Sequence, residues 1–469
     1  MLFNTLPFLI LLLVTFTVYY MPWFAKWQLP VLVAASFFFY AYSYPAFLAL
    51  LLVSAAINTY ASYKVFHGND HTRKFFATSG VIANLALLIF FKYSPFISRM
   101  AFDPHGDVGA FLLSIPLPIG ISFFTFHGIS LLVDVYKKRD LEIYGGVIDK
   151  NFWKHGLKTS LYIAFFPQLV AGPITKSYAF MPQIYQKYIK DIHWEAAFKN
   201  LVLGYFMKMV IADNIKDQTF WISYPFFQAY STPTLLAMIY GYSIQIFSDF
   251  AGYSMIALGL GELFGYHLPV NFNFPYISRT FSEFWTRWHI SLSSWLREYL
   301  YFPLGGNRKG NARTYLNLMI VMFLGGLWHG AAWSYAIWGS FHGLALAAER
   351  FFGVFIKPRE TKLVKGLQML AVFIFVTFAW LLFKLPNFDD AILYVKAIFN
   401  NTHSGQTNFG IIFYIILYSI PVVLFHLFHL AEAGVEKRLG FLKPLLYGFL
   451  VFTIIVNSGR TGSFIYFQF

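Results

Sequence analysis

Residues 314–348, TYLNLMIVMFLGGLWHGAAWSYAIWGSFHGLALAA, contain no Asp, Glu, Lys or Arg. A helix that crosses a bilayer uses about 20 residues, so this stretch is too long for one crossing and suits two short ones. The fold between them is predicted at Gly325-Gly326 to Gly330, where glycine weakens helix continuity. His329 then sits at a glycine-rich break, deep in apolar sequence. A polar side chain at such depth is costly and usually faces a cavity. A neutral imidazole there is a natural general base for a hydroxyl. It is equally well read as a buried histidine bonded to a backbone carbonyl, and the stretch alone leaves both readings open.

Immediately upstream, Pro303 to Arg313 is turn-rich, with Gly305, Gly306 and Gly310 beside Arg308, Lys309 and Arg313. Such a loop can hold phosphates through backbone N–H groups and charge, and it also reads as an ordinary positive cytoplasmic loop. Further upstream, Phe281 to Leu300 places apolar residues at three-and-four spacing, opposite Glu283, Arg287, Arg297 and Glu298. That pattern predicts one amphipathic helix lying in the membrane interface. Glu283 and Arg287 are spaced for an ion pair. His289 falls at the edge of the apolar face, where it could contact a substrate or simply pack.

The whole chain shares this character. Of its 469 residues 58% are apolar, 21% aromatic and only 12% charged, against about 25% charged in a soluble domain. Apolar runs recur at 4–21, 28–43, 45–62, 76–98, 119–135, 157–172, 197–212, 232–248, 251–266, 314–328, 331–348, 366–383, 408–430 and 440–457. Several are short for a crossing, which predicts about ten to thirteen true spans with some re-entrant segments. The expected fold is an all-α integral membrane protein forming one domain over residues 1–469. The apolar start, Leu6 to Tyr20, lacks a preceding basic residue and a cleavage site, and reads as a retained first span.

The formal charge of +14 sits in short clusters between apolar runs, which argues against a nucleic-acid-binding face. Lys64, Arg73 and Lys74, then Lys137, Lys138, Arg139, Lys150, Lys154 and Lys158, then Arg350, Lys357, Arg359, Lys362 and Lys365 occupy alternate loops. Those loops are expected in the cytoplasm, with the N-terminus outside. The absence of cysteine removes disulfides, thiolate metal sites and any acyl-enzyme on a protein thiol. No Walker A loop, G-x-S-x-G elbow, H-E-x-x-H or histidine followed five positions later by aspartate is present, and no metal ligand set is evident.

Asp249, in IQIFSDFAGYS with Gln245 one turn earlier, interrupts an apolar run as either a hydrogen-bond hub or a cavity residue. His127, His342, His426 and His429 read as packing or interfacial histidines. A transporter would be marked by internal repeats or paired intramembrane charges, and neither is evident.

Taken together, FFTFHGISLLVDVYK at 123–137, FPQLVAGPI at 166–174, YSIQIFSDFAGYSMIALGLGELFG at 242–265, FWTRWHISLSSWLREYLYFPLGGNRKG at 284–310, LGGLWHGAAWSYAIWGSFHG at 324–343 and FIYFQF at 464–469 resemble the membrane-bound O-acyltransferases, in particular the bacterial alginate O-acetyltransferase branch. The resemblance runs nearly end to end. His127 stands where glutamine is common, and ITKSYAF follows the AGP block in place of a pattern with arginine.

The resemblance implies membrane helices around a central funnel, with His329 of the LWHG block as the catalytic residue and His289 of the WHISL block as the second polar position. Asp249, Gln245, Arg287 and Trp328 are candidate funnel residues, and Arg308, Lys309 and Arg313 candidate contacts to the phosphates of coenzyme A. The implied reaction passes an acetyl group from cytoplasmic acetyl-coenzyme A, a substrate rather than a resident cofactor, across the bacterial inner membrane to an extracytoplasmic polysaccharide. Alginate-like exopolysaccharide is favoured over peptidoglycan, cellulose or teichoic acid D-alanylation. A periplasmic SGNH-like acetyltransferase is the implied protein partner. The other classes weighed are a transporter of polysaccharide or acyl donor and a scaffold for polymer export, for which His329 would be dispensable.

Overall fold

Lipid offers backbone N–H and C=O groups no partners, so a chain of this composition folds as helices that satisfy them internally. The computed structural model describes residues 1–137, 148–353, 361–402, 405–430, 442–460 and 464. Among these every regular element is helical, apart from an isolated bridge between Tyr230 and Gln406. Lys138, Arg139, Lys357 and Arg359 of the basic loops lie outside the described residues, as do 465–469 of the closing block.

Five described helices are long and apolar enough to cross a membrane: Pro22–Ala41, Pro45–His67, Asp70–Ala101, Lys362–Lys384 and Phe409–Leu430. Their exposed faces are apolar. On Lys362–Lys384, Leu363, Leu367, Leu370 and Ile374 form an outward stripe at helical spacing, while Val372, Val376, Ala379, Trp380 and Phe383 are buried. Apolar surface this extensive is the face a multi-pass protein turns to lipid. The other apolar runs fold as shorter or less apolar helices.

The chain divides into two compact units, Met1–Leu201 with Ser254–Pro269, and Val202–Tyr253 with Val270–Phe469. In the first, all but Val133 and Tyr136 of Ile121–Tyr136 are buried. A helix enclosed in this way can be apolar all round and short. His127 lies on it, its ring 5.3 Å from that of Tyr162, as a packing residue. Asn58 and Asn84 exchange side-chain hydrogen bonds of 3.1 and 2.9 Å, and Ser62 bonds the His155 ring at 2.8 Å.

In the second unit the charge-free stretch does form two helices, Gly310–His329 and Trp333–Gly353, with the break at Gly330. A Cβ on Gly326 would lie 2.2 Å from the Tyr335 carbonyl oxygen, and one on Gly339 2.1 Å from that of Met322. Only glycine at both positions lets the two backbones touch, as small residues do between membrane helices.

Two expectations are corrected. The runs 232–248 and 251–266 are one helix, Thr232–Leu263, of 32 residues. The residues between the runs interrupt hydropathy without interrupting helix formation, and the Asp249 charge is met inside the protein. Conversely, 281–300 is not one helix: it breaks into Phe281–Arg287 and Ile290–Leu296, followed by a π turn at Arg297–Tyr301. Its apolar residues Phe284, Trp288, Leu292, Trp295 and Leu296 are buried in the protein and not laid on a headgroup boundary.

Candidate active site

The position of His289 is built from local hydrogen bonds. Thr280 caps the first short helix, its hydroxyl accepting the Glu283 N–H at 3.0 Å. Glu349 accepts the N–H groups of Phe281 and Ser282, satisfying donors a helix start leaves open. Glu283 pairs with Arg287 at 2.9 Å, and Arg287 donates to the Asn273 carbonyl at 3.0 Å. After Arg287 the chain extends at Trp288 and then turns left-handed at His289, φ 43°.

Residues 271–273 impose that turn. The N–H of Asn273 donates to the Arg287 carbonyl at 2.9 Å, that of Ile290 to the Asn271 carbonyl at 3.0 Å, and that of Ser291 to the Asn271 side chain at 3.3 Å. A left-handed non-glycine residue costs about 1–2 kcal/mol. Such residues persist where their surroundings over-determine them, and they cluster at active sites.

His329 arrives from another direction, as the last residue of Gly310–His329. Both imidazoles are buried, His289 fully and His329 to 4% exposure. Their ring centroids are 6.0 Å apart. Trp328 lies beside both, 5.8 Å from His289 and 5.1 Å from His329. Phe250 closes on His289 at 4.6 Å, while Trp338 and Phe383 each approach His329 at 5.3 Å. Two histidines inside one aromatic box can take up and release a proton away from bulk water.

His329 also lines a cavity of about 320 Å³ walled mainly by apolar side chains, with Trp285, Arg297, Tyr301 and Trp338 among its lining residues. That is the lower end of the size expected for a small-molecule site.

The remaining candidates fall elsewhere. Arg308, Lys309 and Arg313 are exposed on and just after the turn following Tyr301, and none lines this cavity; the basic residue that does is Arg297. Arg287 is held by Glu283 and Asn273. Gln245 accepts the Thr219 hydroxyl. Lys208 bridges two carboxylates, reaching Asp249 at 2.7 Å and Asp213 at 2.8 Å, all three buried.

This triad corrects the reading that paired charges are absent from the apolar runs. The signal was present, since Lys208 interrupts GYFMKMVIADN as Asp249 interrupts its own run, and buried charges require partners. Replacing Lys208 by Met should leave two buried carboxylates uncompensated and cost about 3–5 kcal/mol, read as a lower temperature for loss of monodisperse protein in detergent. Unchanged thermal stability would show that the triad is dispensable.

Trp338 and Phe383 carry no signal in a sequence that is 21% aromatic, Asn271 stands in no motif, and Arg297 reads from the sequence only as part of a polar helix face. His342, 4.9 Å from Trp338, and His426, bonded to the Val422 carbonyl and 5.0 Å from Phe247, are packing residues, as expected.

The profile described as MBOAT, membrane-bound O-acyltransferase family, matches residues 155–388, a span that includes both histidines. The chain is 35% identical to the peptidoglycan O-acetyltransferase of Helicobacter pylori, over 78% of this chain and 73% of that protein. It is likewise 35% identical to the probable alginate O-acetylase of Azotobacter vinelandii, over 85% of this chain and 78% of that protein. The chain belongs to the membrane-bound O-acyltransferase family. As a member it is a multi-pass membrane enzyme that transfers acyl groups to oxygen. It is also 29% identical to the teichoic acid D-alanyltransferase of Bacillus subtilis, over 65% of this chain and 76% of that protein.

Proposed function

We propose that this membrane-bound O-acyltransferase accepts acetyl-coenzyme A from the cytoplasm and delivers its acetyl group through the inner membrane for O-acetylation of an extracytoplasmic polysaccharide, of alginate-like chemistry by preference. The observation that carries the reading is the pair of buried histidines, one of which lines an apolar cavity. His329 acts as general base. It takes the proton from an acceptor hydroxyl as that oxygen attacks the thioester carbonyl carbon. The tetrahedral centre collapses, the C–S bond breaks, and the proton on His329 passes to the departing sulfur, leaving an O-acetyl ester and free coenzyme A. His289 polarises the thioester carbonyl or orients the acceptor.

Acetyl-coenzyme A cannot cross the bilayer and the polymer lies outside, so a protein funnel must join the two compartments. The basic loops face the cytoplasm in this scheme. The first acceptor is a hydroxyl on a periplasmic SGNH-like acetyltransferase, which then decorates the polymer. Two of the similar proteins carry acetylation of alginate or peptidoglycan in their names, which supports acetyl as the group transferred; the Bacillus subtilis relative favours D-alanine as the second reading.

Deleting the gene and releasing base-labile groups from secreted and envelope polymers tests both. Loss of acetate, restored by the intact gene, is the expected result. Loss of alanine would transfer the assignment to the second reading, and unchanged release of acetate would overturn the first.

A further inference from the structure

We infer that His193, Glu262 and His267 form a binding site for a divalent transition-metal cation of the zinc class. Their ligand atoms all lie within 4.8 Å of one another, and all three belong to the unit formed by Met1–Leu201 and Ser254–Pro269. The sequence gives little sign of the group, because His193 is far from the other two and neither histidine stands in a recognisable ligand spacing.

The fold brings them together through a helix terminus. Thr232–Leu263 ends in a reversed turn, with Gly265 at φ 75° donating to the Glu262 carbonyl at 3.0 Å and Tyr266 donating to the Gly261 carbonyl at 2.9 Å. This is the paired hydrogen-bond pattern of a glycine C-cap, and it returns the chain so that His267 lies against Glu262, Nδ1 to Oε1 2.9 Å. Gln183 then clamps the His267 backbone from both sides, accepting its N–H at 2.8 Å and donating to its carbonyl at 3.1 Å. His193 immediately precedes the helix Trp194–Tyr205, where its carbonyl accepts the Ala197 N–H at 2.9 Å. Its Nδ1 stands 3.6 Å from Glu262 Oε2, and the two imidazole rings are 5.2 Å apart.

The donor set is the chemical argument. Two imidazoles and one carboxylate suit zinc and its neighbours, whereas magnesium and calcium prefer oxygen throughout. Three protein ligands with one position left for water is a common zinc arrangement. Glu262 Oε2 is buried, and among the described residues no group donates a hydrogen bond to it. A cation would satisfy that oxygen. The histidine side chains are 66% and 58% exposed, so they can turn inward to bring all donors to about 2.0–2.2 Å from one ion. The bound ion would tie the end of the long helix to the start of Trp194–Tyr205.

The test uses the full-length protein purified in detergent with an affinity tag free of histidine, stripped with chelator and then given zinc. The protein is expected to retain one equivalent through desalting and to unfold at a higher temperature with zinc than without. His193→Ala, His267→Ala and Glu262→Gln should each weaken zinc at least about a hundredfold, since even outer-shell partners of a metal are worth about 10–100-fold. Gln183→Ala should weaken it about tenfold by freeing the His267 backbone, and replacing His105, an exposed histidine outside the group, by Ala should change nothing. The two histidine positions are exposed, and gel filtration checks that each variant is folded. Failure of the unaltered protein to retain zinc, or equal retention by the three ligand variants, would overturn the site.

Discussion

Replacing His329 by Gln is expected to lower polymer acetylation about a hundred- to ten-thousandfold, the range a general base contributes, with protein level and membrane insertion nearly unchanged. Glutamine can hydrogen-bond in the aromatic box but cannot hold a proton during transfer. The helix pair around the position is held by the Gly326 and Gly339 contacts, and Gly330 packs on the Tyr335 ring, where a Cβ would stand 2.1 Å from the ring carbon. Acetate released by base from the polymer of cells carrying His329→Gln measures the effect, with the amount of membrane protein read alongside. Acetylation within a few-fold of normal would remove His329 from the chemistry and leave room for the scaffold reading.

His289 calls for a different substitution, because its backbone is left-handed. Alanine would carry the cost of about 1–2 kcal/mol without a side chain suited to that conformation, whereas asparagine enters it more readily and still offers a hydrogen-bond donor. In both variants transfer to the acceptor should fall, by about a hundredfold for His289→Ala if the residue polarises the thioester carbonyl, and by less for His289→Asn. Slow release of acetate to water should continue. His329→Ala should remove transfer and release together. Purified protein with radiolabelled acetyl-coenzyme A, assayed with and without acceptor, separates the two activities. Equal loss of both in the His289 and His329 variants would mean that the histidines act as one unit, and the separate roles would be withdrawn.

Much of this is legible in the sequence. The charge-free stretch from Thr314 to Ala348 announced two helices with a break, and the break stands at Gly330 beside His329. The Glu283–Arg287 pair also formed as its spacing predicts. The kink at Trp288 and His289 was not legible: the pattern of apolar residues continues through it as if the helix did. What breaks the helix is the segment at 271–273, which takes up hydrogen bonds that a continuous helix would have made for itself. Hydropathy likewise misplaced the boundary at Asp249, because it registers a charge but not the Lys208 that neutralises it.

The sequence by itself determined that this chain is helical and embedded in a membrane, since so few charges and so many apolar residues admit no other solvent, and its motifs placed it among O-acyltransferases. Only the tertiary structure decided which polar groups meet. His289 faces His329 because two short helices and a neighbouring segment turn one residue left-handed. His193 meets Glu262 and His267 because a glycine turn folds the end of a long helix back on itself. Side chains distant in sequence become a site only when packing and hydrogen bonds hold them within a few ångströms, and no local pattern of residues records that distance.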